Sequence, residues 1–182
     1  MKSTDRALQR WRIAKVRPFI APGSRILDIG SADGALFQWL GKPMGSSMGI
    51  DPTLKADASA GGFPLVAGFF PRDMPAAGPF DVITMLAVLE HFPPSEYADL
   101  KRGCLEFLKP GGILAITVPS AAVDHVLALL KFLRLIDGMS LEEHHGYEVG
   151  RTLEIFPAEN FRLLRRKKFQ LGLNNLFVFE RR

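Results

Sequence analysis

The segment Leu27-Asp-Ile-Gly-Ser-Ala-Asp-Gly34 decides the fold of this 182-residue chain. It completes a short apolar run, Arg25 to Ile29, that lacks polar alternation, as strands covered on both faces do. The small residues that follow let the backbone approach a ligand closely. In open α/β sheets, ligands bind outside the carboxyl ends of the strands where strand order reverses, and the turn after the first strand lies there. The segment therefore predicts a nucleotide-like cofactor at this turn.

The rest of the chain extends this strand into an α/β fold. From Arg25 to the end, short strand-like runs alternate with longer helical runs, which favours a doubly wound, mostly parallel sheet covered on both faces. Further strands are predicted at 47–51, 63–66, 80–86, 113–118, 161–169 and 175–180, and helices at 35–40 and 95–108. The turn at 172–174 should join the last two strands as an antiparallel pair. We expect a Rossmann-like sheet of seven strands.

Length and composition limit the class of protein. The length fits one domain, so residues 1–182 are expected to share one core. Cys104 is the single cysteine, which excludes an intrachain disulfide, and no metal site is expected. No run reaches the ~20 apolar residues of a membrane span, so a soluble, cytoplasmic protein is expected.

The net charge of +4 is concentrated at the two ends of the chain. Such runs can attract an anionic partner, such as RNA, a phosphorylated substrate or an acidic membrane surface. Ordinary solvated helix and strand faces explain them as well, and that interpretation is preferred because a charge run is an unspecific signal.

The choice of cofactor depends on the glycine pattern and two acids. A dinucleotide fingerprint needs Gly-x-Gly-x-x-Gly, whereas these positions hold Gly30, Ala32 and Ala35, a poor match. S-adenosylmethionine carries an amino acid head and a sulfonium, so an acid at Asp28 makes electrostatic sense. Asp51 ends the second strand and is placed to accept hydrogen bonds from a ribose diol, which both cofactors contain.

Four segments now match one family in order and spacing. They are Leu27 to Gly34, Met48 to Pro52, Phe80 to Phe92 (FDVITMLAVLEHF) and Leu108 to Val118 (LKPGGILAITV). With these segments the chain resembles the class I S-adenosylmethionine-dependent methyltransferases, particularly small bacterial enzymes similar to the quinone-pathway methylases. The resemblance covers about residues 25–118, and the tail matches more weakly.

The resemblance implies S-adenosylmethionine as cofactor and assigns residues to its parts. The methionine half would be wrapped by Asp28, Gly30, Ser31, Ala32 and Gly34. Asp51 and Pro52 would meet the ribose and the adenine edge, while Leu86 and Ala87 would border the sulfonium. The family often has an acid after the third strand, but here Gly68 is followed by Phe69 and Phe70. These rings are expected either to stack on the adenine or to belong to the core.

Histidines are the candidate groups on the acceptor side. A hydroxyl acceptor benefits from a general base, and histidine suits that role at neutral pH. His144 and His145 lie between Pro119 and Pro157, a connection far longer than the ~10 to 12 residues of a minimal crossover. We predict that 119–157 forms an acceptor lid and that His145 contacts the acceptor. His91, in Leu89-Glu-His-Phe92, is a third catalytic candidate, although an architectural role is favoured there.

The expected function is methyl transfer to a small or lipid-like acceptor, with oxygen favoured because of the histidines. Nucleic acid is an unlikely partner, because enzymes that methylate base amines usually carry an Asn/Asp-Pro-Pro-aromatic motif that is absent after the fourth strand. An apolar helix predicted at 121–136 could wall the acceptor pocket, contact a second subunit or touch a membrane peripherally. Two alternatives stay open: a non-catalytic S-adenosylmethionine-binding accessory protein and an NAD-dependent oxidoreductase.

Overall fold

A computed structural model of the protein describes residues 3–41, 45–120 and 147–182. Its helices are α1 (Ser3–Val16), α2 (Ala35–Leu40), α3 (Tyr97–Phe107) and α4 (Arg151–Ile155). Its strands are β1 (Ile26–Ile29), β2 (Met48–Asp51), β3 (Ala58–Ala60), β4 (Phe63–Ala67), β5 (Phe80–Leu86), β6 (Leu108–Pro119), β7 (Phe161–Phe169) and β8 (Asn174–Arg181). Short 3₁₀ turns lie at Arg17–Phe19, Leu89–His91 and Pro94–Glu96. None of the helices described is both long and apolar enough to cross a membrane.

The eight strands form one sheet in the order β3-β4-β2-β1-β5-β6-β8-β7. Strands β4, β2, β1, β5 and β6 are parallel, whereas β8 pairs antiparallel with both β6 and β7. The chain leaves β1 towards β2 on one side and later returns to β5 on the other, so strand order reverses at β1. The expected mostly parallel sheet with an antiparallel C-terminal pair is confirmed. The additional strand, β3, pairs antiparallel with β4 and has only three residues, too few to show a period.

Each face of the sheet carries its own apolar core, which makes the fold doubly wound. On one face, Leu27 and Ile83 pack with residues of α3 and α4. On the other, Ile26 and Val82 pack with residues of α1 and α2. Because alternate residues of β1 and β5 enter opposite cores, both strands have apolar side chains on both faces.

The C-terminal hairpin closes one side of the sheet. Strand β8 is buried between β6 and β7, while the residues of β7 between Phe161 and Phe169 are exposed. The connecting turn is joined to the end of β6, because the Ser120 N–H donates to the Leu173 carbonyl at 2.9 Å and the Ser120 hydroxyl donates to the Gly172 carbonyl at 2.6 Å. The end of β6 and this turn therefore lie together.

The region predicted as an acceptor lid, 119–157, is described only at its two ends. Its larger part, 121–146, lies outside the described residues. Downstream of that part, Tyr147, Thr152, Ile155 and Phe156 are buried. The Tyr147 and Thr152 hydroxyls are 2.7 Å apart. Ile155 and Phe156 pack in the core that also contains buried residues of α3. Residues 147–157 thus belong to the body of the domain.

Candidate active site

Asp51, at the end of β2, is hydrogen-bonded to the turn after β1. Its Oδ2 accepts the Ala32 N–H at 2.7 Å, and its Oδ1 accepts the Thr53 N–H at 2.8 Å and the Thr53 hydroxyl at 2.5 Å. The carboxylate is buried, yet Oδ2 accepts only this one hydrogen bond among the described residues. A carboxylate oxygen has room for a second donor. The structure thus places Asp51 against the small-residue turn, with Pro52 exposed beside it.

Asp28 is the second buried acid at this edge of the sheet. It lies on β1 next to β5, and the Thr84 hydroxyl donates to its Oδ1 at 2.6 Å. Burial raises the pKa of the Asp28 carboxyl to about 7, against the opposing effect of the Thr84 hydrogen bond and with a smaller contribution from the charge of Asp51. A positively charged group nearby would favour the ionised carboxylate. Thr84 was not anticipated, although a lone threonine within Ile83-Thr84-Met85 is a usable signal.

The turn between these acids packs against β2 and against the segment that follows β5. At Gly30, where φ is +75°, an added Cβ would lie 2.2 Å from Val88 Cγ2. At Gly49 of β2, an added Cβ would lie 2.4 Å from Ser31 Cβ. Among the described residues the buried Ser31 Oγ has no hydrogen-bond partner. This hydroxyl is therefore available to form a hydrogen bond with a polar ligand at the turn.

The turn is closed by backbone bonds as well. The Gly30 N–H donates to the Ile50 carbonyl at 2.8 Å, and the Gly34 N–H donates to the Ser31 carbonyl at 2.8 Å. Ala32 has a positive φ of 43° inside the turn. The five residues expected around the methionine half, Asp28, Gly30, Ser31, Ala32 and Gly34, thus lie on β1 and the bonded turn that follows it, and Ala32 is in contact with Asp51.

The two phenylalanines after β4 have different environments. The Gly68 N–H donates to the Asp51 carbonyl at 3.2 Å, so this loop adjoins the ribose side of the expected site. Phe69 is 53% exposed, with the Arg72 guanidinium 4.9 Å from its ring centroid. Phe70 is 5% exposed and packs in the core, 5.8 Å from the Phe107 ring. The core interpretation is favoured for Phe70, whereas Phe69 keeps a free face.

Asp73 is an acid at this loop that the sequence reasoning missed. Its Oδ2 accepts the Phe69 N–H at 2.8 Å, and the Asp73 N–H donates back to the Phe69 carbonyl at 2.9 Å. Hydrogen bonds from Arg72 and from the Phe69 N–H hold the pKa of Asp73 below its usual value. It was missed because it follows Gly68 by five positions instead of one. Asp73 orders the segment that presents Phe69.

The end of β5 and the residues after it lie beside the turn that follows β1. Leu86 ends β5 and is partly buried, and Ala87 has a φ of +61° with its N–H donating to the Thr117 carbonyl at 2.9 Å. The next residue, Val88, contacts Gly30 closely enough to leave no room for a Cβ there. The pair expected to border the sulfonium, Leu86 and Ala87, therefore directly precedes the residue that packs against the turn after β1.

Glu90 is a buried acid in the turn after β5, at 1% exposure. Burial raises the pKa of its carboxyl to about 7, while its own backbone N–H and the positive charge of Arg12 act in the opposite direction. Among the described residues its Oε2 has no hydrogen-bond partner. Only the histidine of Leu89-Glu-His-Phe92 was considered from the sequence. The structure shows that Glu90 is more deeply buried than His91.

Of the three histidines predicted as catalytic candidates, only His91 lies among the described residues. His91 ends the 3₁₀ turn after β5 and is partly buried, with its N–H donating to the Val88 carbonyl at 3.0 Å. His144 and His145 lie outside the described residues. Within the described ranges, no group of three or more His, Cys, Asp or Glu side chains could hold a metal ion.

Sequence comparisons find a known domain family over most of the chain. A family model described as a methyltransferase domain matches residues 3–164. The ubiquinone biosynthesis O-methyltransferase of Ralstonia nicotianae is 31% identical over 118 residues, which are 59% of this chain and 49% of that protein. That of Marinobacter nauticus is 28% identical over 160 residues, 70% of this chain and 65% of that protein. The matched part thus spans about half to two thirds of these relatives' length.

Solved structures share the fold at low sequence identity. The 1,6-didemethyltoxoflavin-N1-methyltransferase of Burkholderia thailandensis superimposes with a TM-score of 0.71 at 15% identity, over 98% of this chain and 80% of that one. It was solved with 1,6-didemethyltoxoflavin and S-adenosylhomocysteine bound. The N-methyltransferase NodS of Bradyrhizobium japonicum gives 0.68 at 16% identity, over 97% of this chain and 98% of that one.

Proposed function

This chain belongs to the methyltransferase domain family, and on that premise we propose that it transfers a methyl group from S-adenosylmethionine to a small or lipid-like acceptor. One observation carries the proposal. Two buried carboxylates, Asp28 and Asp51, flank a turn of small residues at the point where strand order reverses. That is where open α/β sheets bind nucleotide-like ligands.

The residues present fit this cofactor. Asp51 Oδ2 accepts one hydrogen bond and has capacity for a ribose hydroxyl. The unpartnered Ser31 hydroxyl suits a polar group of the methionine half. Asp28 has a pKa of about 7, so an ammonium group nearby would draw it into the ionised form. Phe69 offers an exposed ring beside this site, suited to stacking on an adenine.

When bound, S-adenosylmethionine supplies an activated methyl group on a sulfonium. The protein then has to align the acceptor with that group and keep water away, because positioning supplies much of the barrier reduction in a reaction between two substrates. Leu86 and Ala87 are proposed to form the wall on this side. His91 follows them along the chain, and Glu90 is buried beside it.

An oxygen acceptor is the proposed specificity. The curated relatives carry the name O-methyltransferase, which supports oxygen over nitrogen or carbon. A hydroxyl must give up a proton, and a side chain with a pKa near the working pH does this best. His145, His144 and His91 remain the proposed candidates for that role. The first two come from 121–146, the part of the proposed 119–157 lid that lies outside the described residues, whereas 147–157 packs into the domain.

Calorimetry against three ligands tests the proposal. We expect the protein to bind S-adenosylmethionine and S-adenosylhomocysteine, and to bind NAD much more weakly. A preference for NAD would instead indicate an oxidoreductase. A screen of phenols, other hydroxyl compounds and amines with methyl-labelled S-adenosylmethionine then identifies the acceptor. Cofactor binding without label transfer to any acceptor would favour the non-catalytic accessory protein.

A further inference from the structure

Strand β7 is the edge strand on one side of the sheet and is rich in cations, and we refer to it as the cationic edge. It carries Arg162, Arg165, Arg166, Lys167 and Lys168, all exposed, and no acid. Residues directly opposite in a sheet share a face. Arg165 and Lys167 oppose Val178 and Leu176, whereas Arg166 and Lys168 oppose Phe177 and Asn175, so the cations project from both faces of the edge strand.

Most of this charge has no carboxylate partner among the residues that the structure describes. Arg162 forms an ion pair with Glu180 at 2.9 Å, and the Arg166 guanidinium lies 5.2 Å from the Phe177 ring centroid. Among the described residues, no carboxylate lies within ion-pair distance of Arg165, Lys167 or Lys168. Within the described part of the chain, these three cations are therefore left to meet an external anion.

Exposed apolar side chains lie at one end of the cationic edge. Leu171, at the tip of the β7–β8 turn, is 100% exposed. On α1, Trp11 is 45% and Leu8 is 36% exposed, and their spacing of three places them on one side of the helix. The Gln170 side chain donates to the Leu8 carbonyl at 3.3 Å, so α1 and the turn are in contact. We refer to Leu8, Trp11 and Leu171 as the apolar rim.

The rim lies at the edge of the sheet that holds the candidate active site. β7 and β6 are both antiparallel to β8, so β7 runs in the direction of β6, β5 and β1. Its last cations, Lys167 and Lys168, therefore point towards the carboxyl ends of the central strands. The hydrogen bonds of Ser120 at the end of β6 to the turn confirm this placement.

We propose that the cationic edge and the apolar rim bind the surface of an anionic lipid bilayer, with the rim entering the headgroup region and the cations facing lipid phosphates. Tryptophan and leucine beside lysine and arginine are the combination that interfacial segments use. Strand-edge protection against aggregation explains some of the cations but none of the exposed apolar side chains. A nucleic acid would bind the cations and stack a base on Trp11, but Leu8 and Leu171 offer no stacking surface, whereas all three side chains suit a headgroup region.

This surface goes beyond methyl transfer, because it requires no bound cofactor or acceptor. Its position nevertheless has a consequence for the proposed function. A protein docked through the rim would hold the carboxyl edge of its sheet towards the bilayer, where a lipid-like acceptor resides.

Co-sedimentation of the full chain with vesicles tests the proposal. Binding is expected with phosphatidylcholine vesicles that contain phosphatidylglycerol, and little binding with phosphatidylcholine alone. Lys167→Gln combined with Lys168→Gln should weaken binding about 25-fold, since each cation near an anionic surface is worth about a fivefold change. Leu171→Asn should weaken it about tenfold. Asparagine tolerates the positive φ of 56° at this position, so the turn is retained.

A matched variant removes two cations elsewhere. Lys101→Gln combined with Arg102→Gln on α3 makes the same change of net charge and should leave vesicle binding within about twofold. Equal losses in both double variants, or no preference for anionic vesicles, would overturn the proposal. So would tight binding of single-stranded RNA through the same lysines without vesicle binding. Calorimetry with S-adenosylhomocysteine on each variant separates this result from the proposed function, because cofactor affinity should not change.

Discussion

At the scale of single residues, Asp51 has two tasks that a substitution removes together. Its carboxylate accepts the Ala32 and Thr53 N–H groups and is proposed to bind a ribose hydroxyl. Asp51→Ala should weaken S-adenosylhomocysteine binding by about 1 to 3 kcal/mol, the range for hydrogen bonds to a charged group. It should also lower the free energy of unfolding by about 1 to 2 kcal/mol, because buried donors lose their acceptor. Calorimetry and urea unfolding measure the two effects.

Asp81 provides the matched control for that experiment. It also accepts a backbone N–H, that of Arg25 at 2.8 Å, but lies at the amino end of β5, at the opposite edge of the sheet. Asp81→Ala should therefore cost stability without changing cofactor affinity. If Asp51→Ala binds S-adenosylhomocysteine as tightly as the unchanged protein does, Asp51 is not part of the site.

Asp28 should make stability depend on pH. Its pKa is 3.8 when unfolded and about 7 when folded, so between these values the folded protein holds a proton that the unfolded chain has released. The contribution of Asp28 to stability is then full below pH 3.8 and is lost as pH rises through about 7. Asp28→Asn should flatten the fall in the free energy of unfolding over this window by up to about 1.4 kcal/mol per pH unit.

Urea unfolding at a series of pH values checks this prediction. Some slope should remain in Asp28→Asn, because the Glu90 carboxyl has its pKa raised to about 7 by the same cause, burial. Asp99→Asn, an exposed acid on α3, serves as the control and should leave the slope as it is. A slope unchanged by Asp28→Asn would mean that this carboxyl is ionised in the folded protein at all these pH values.

Phe69 and Phe70 offer adjacent substitutions with opposite expected effects. Phe70→Ala removes a buried ring and should lower the free energy of unfolding by about 3 to 5 kcal/mol. Phe69→Ala removes an exposed ring and should change stability little, while weakening S-adenosylhomocysteine binding by about 1 kcal/mol if the ring stacks on the adenine. Thermal unfolding measures the stability of both variants, and calorimetry measures their affinity for S-adenosylhomocysteine. Unchanged cofactor affinity in Phe69→Ala would assign adenine recognition to other groups.

At the scale of elements, the spacing between β2 and the cofactor turn depends on Gly49. A Cβ there would lie 2.4 Å from Ser31 Cβ and 2.8 Å from Leu65 Cδ2. Gly49→Ala should push the turn away from β2, lowering the free energy of unfolding by about 1 to 3 kcal/mol. It should also weaken S-adenosylhomocysteine binding about tenfold, the effect of one lost hydrogen bond to a charged group.

Gly150 controls for the change of glycine to alanine itself. It has helical dihedrals just before α4, and a Cβ there would meet no atom within 4 Å. Gly150→Ala should be neutral or slightly stabilising. Calorimetry and thermal unfolding compare the two variants, and equal behaviour would show that β2 and the turn have more freedom than their contacts indicate.

At the scale of the whole molecule, the sequence predicted the features that have a local pattern, above all the alternation of strands and helices. Buried parallel strands lack polar alternation, so β1, β2 and β5 were recognisable from apolar runs that end in a turn. The acids at their ends followed from the rule that ligands bind at the carboxyl edge. What could not be predicted depends on partners distant in sequence. The Thr84 hydrogen bond to Asp28 joins residues 56 positions apart, and only packing distinguishes the buried Phe70 from the exposed Phe69.

The bond from the Ala32 N–H to Asp51 has a thermodynamic consequence. Together with the Gly34 to Ser31 bond, it restricts the conformation of the turn after β1 by contacts within the protein alone. A loop that is already ordered loses little conformational entropy on binding, so more of the contact energy contributes to affinity. This half of the proposed site is therefore expected to be preorganised, so that ligand recognition there resembles a lock and key more than an induced fit.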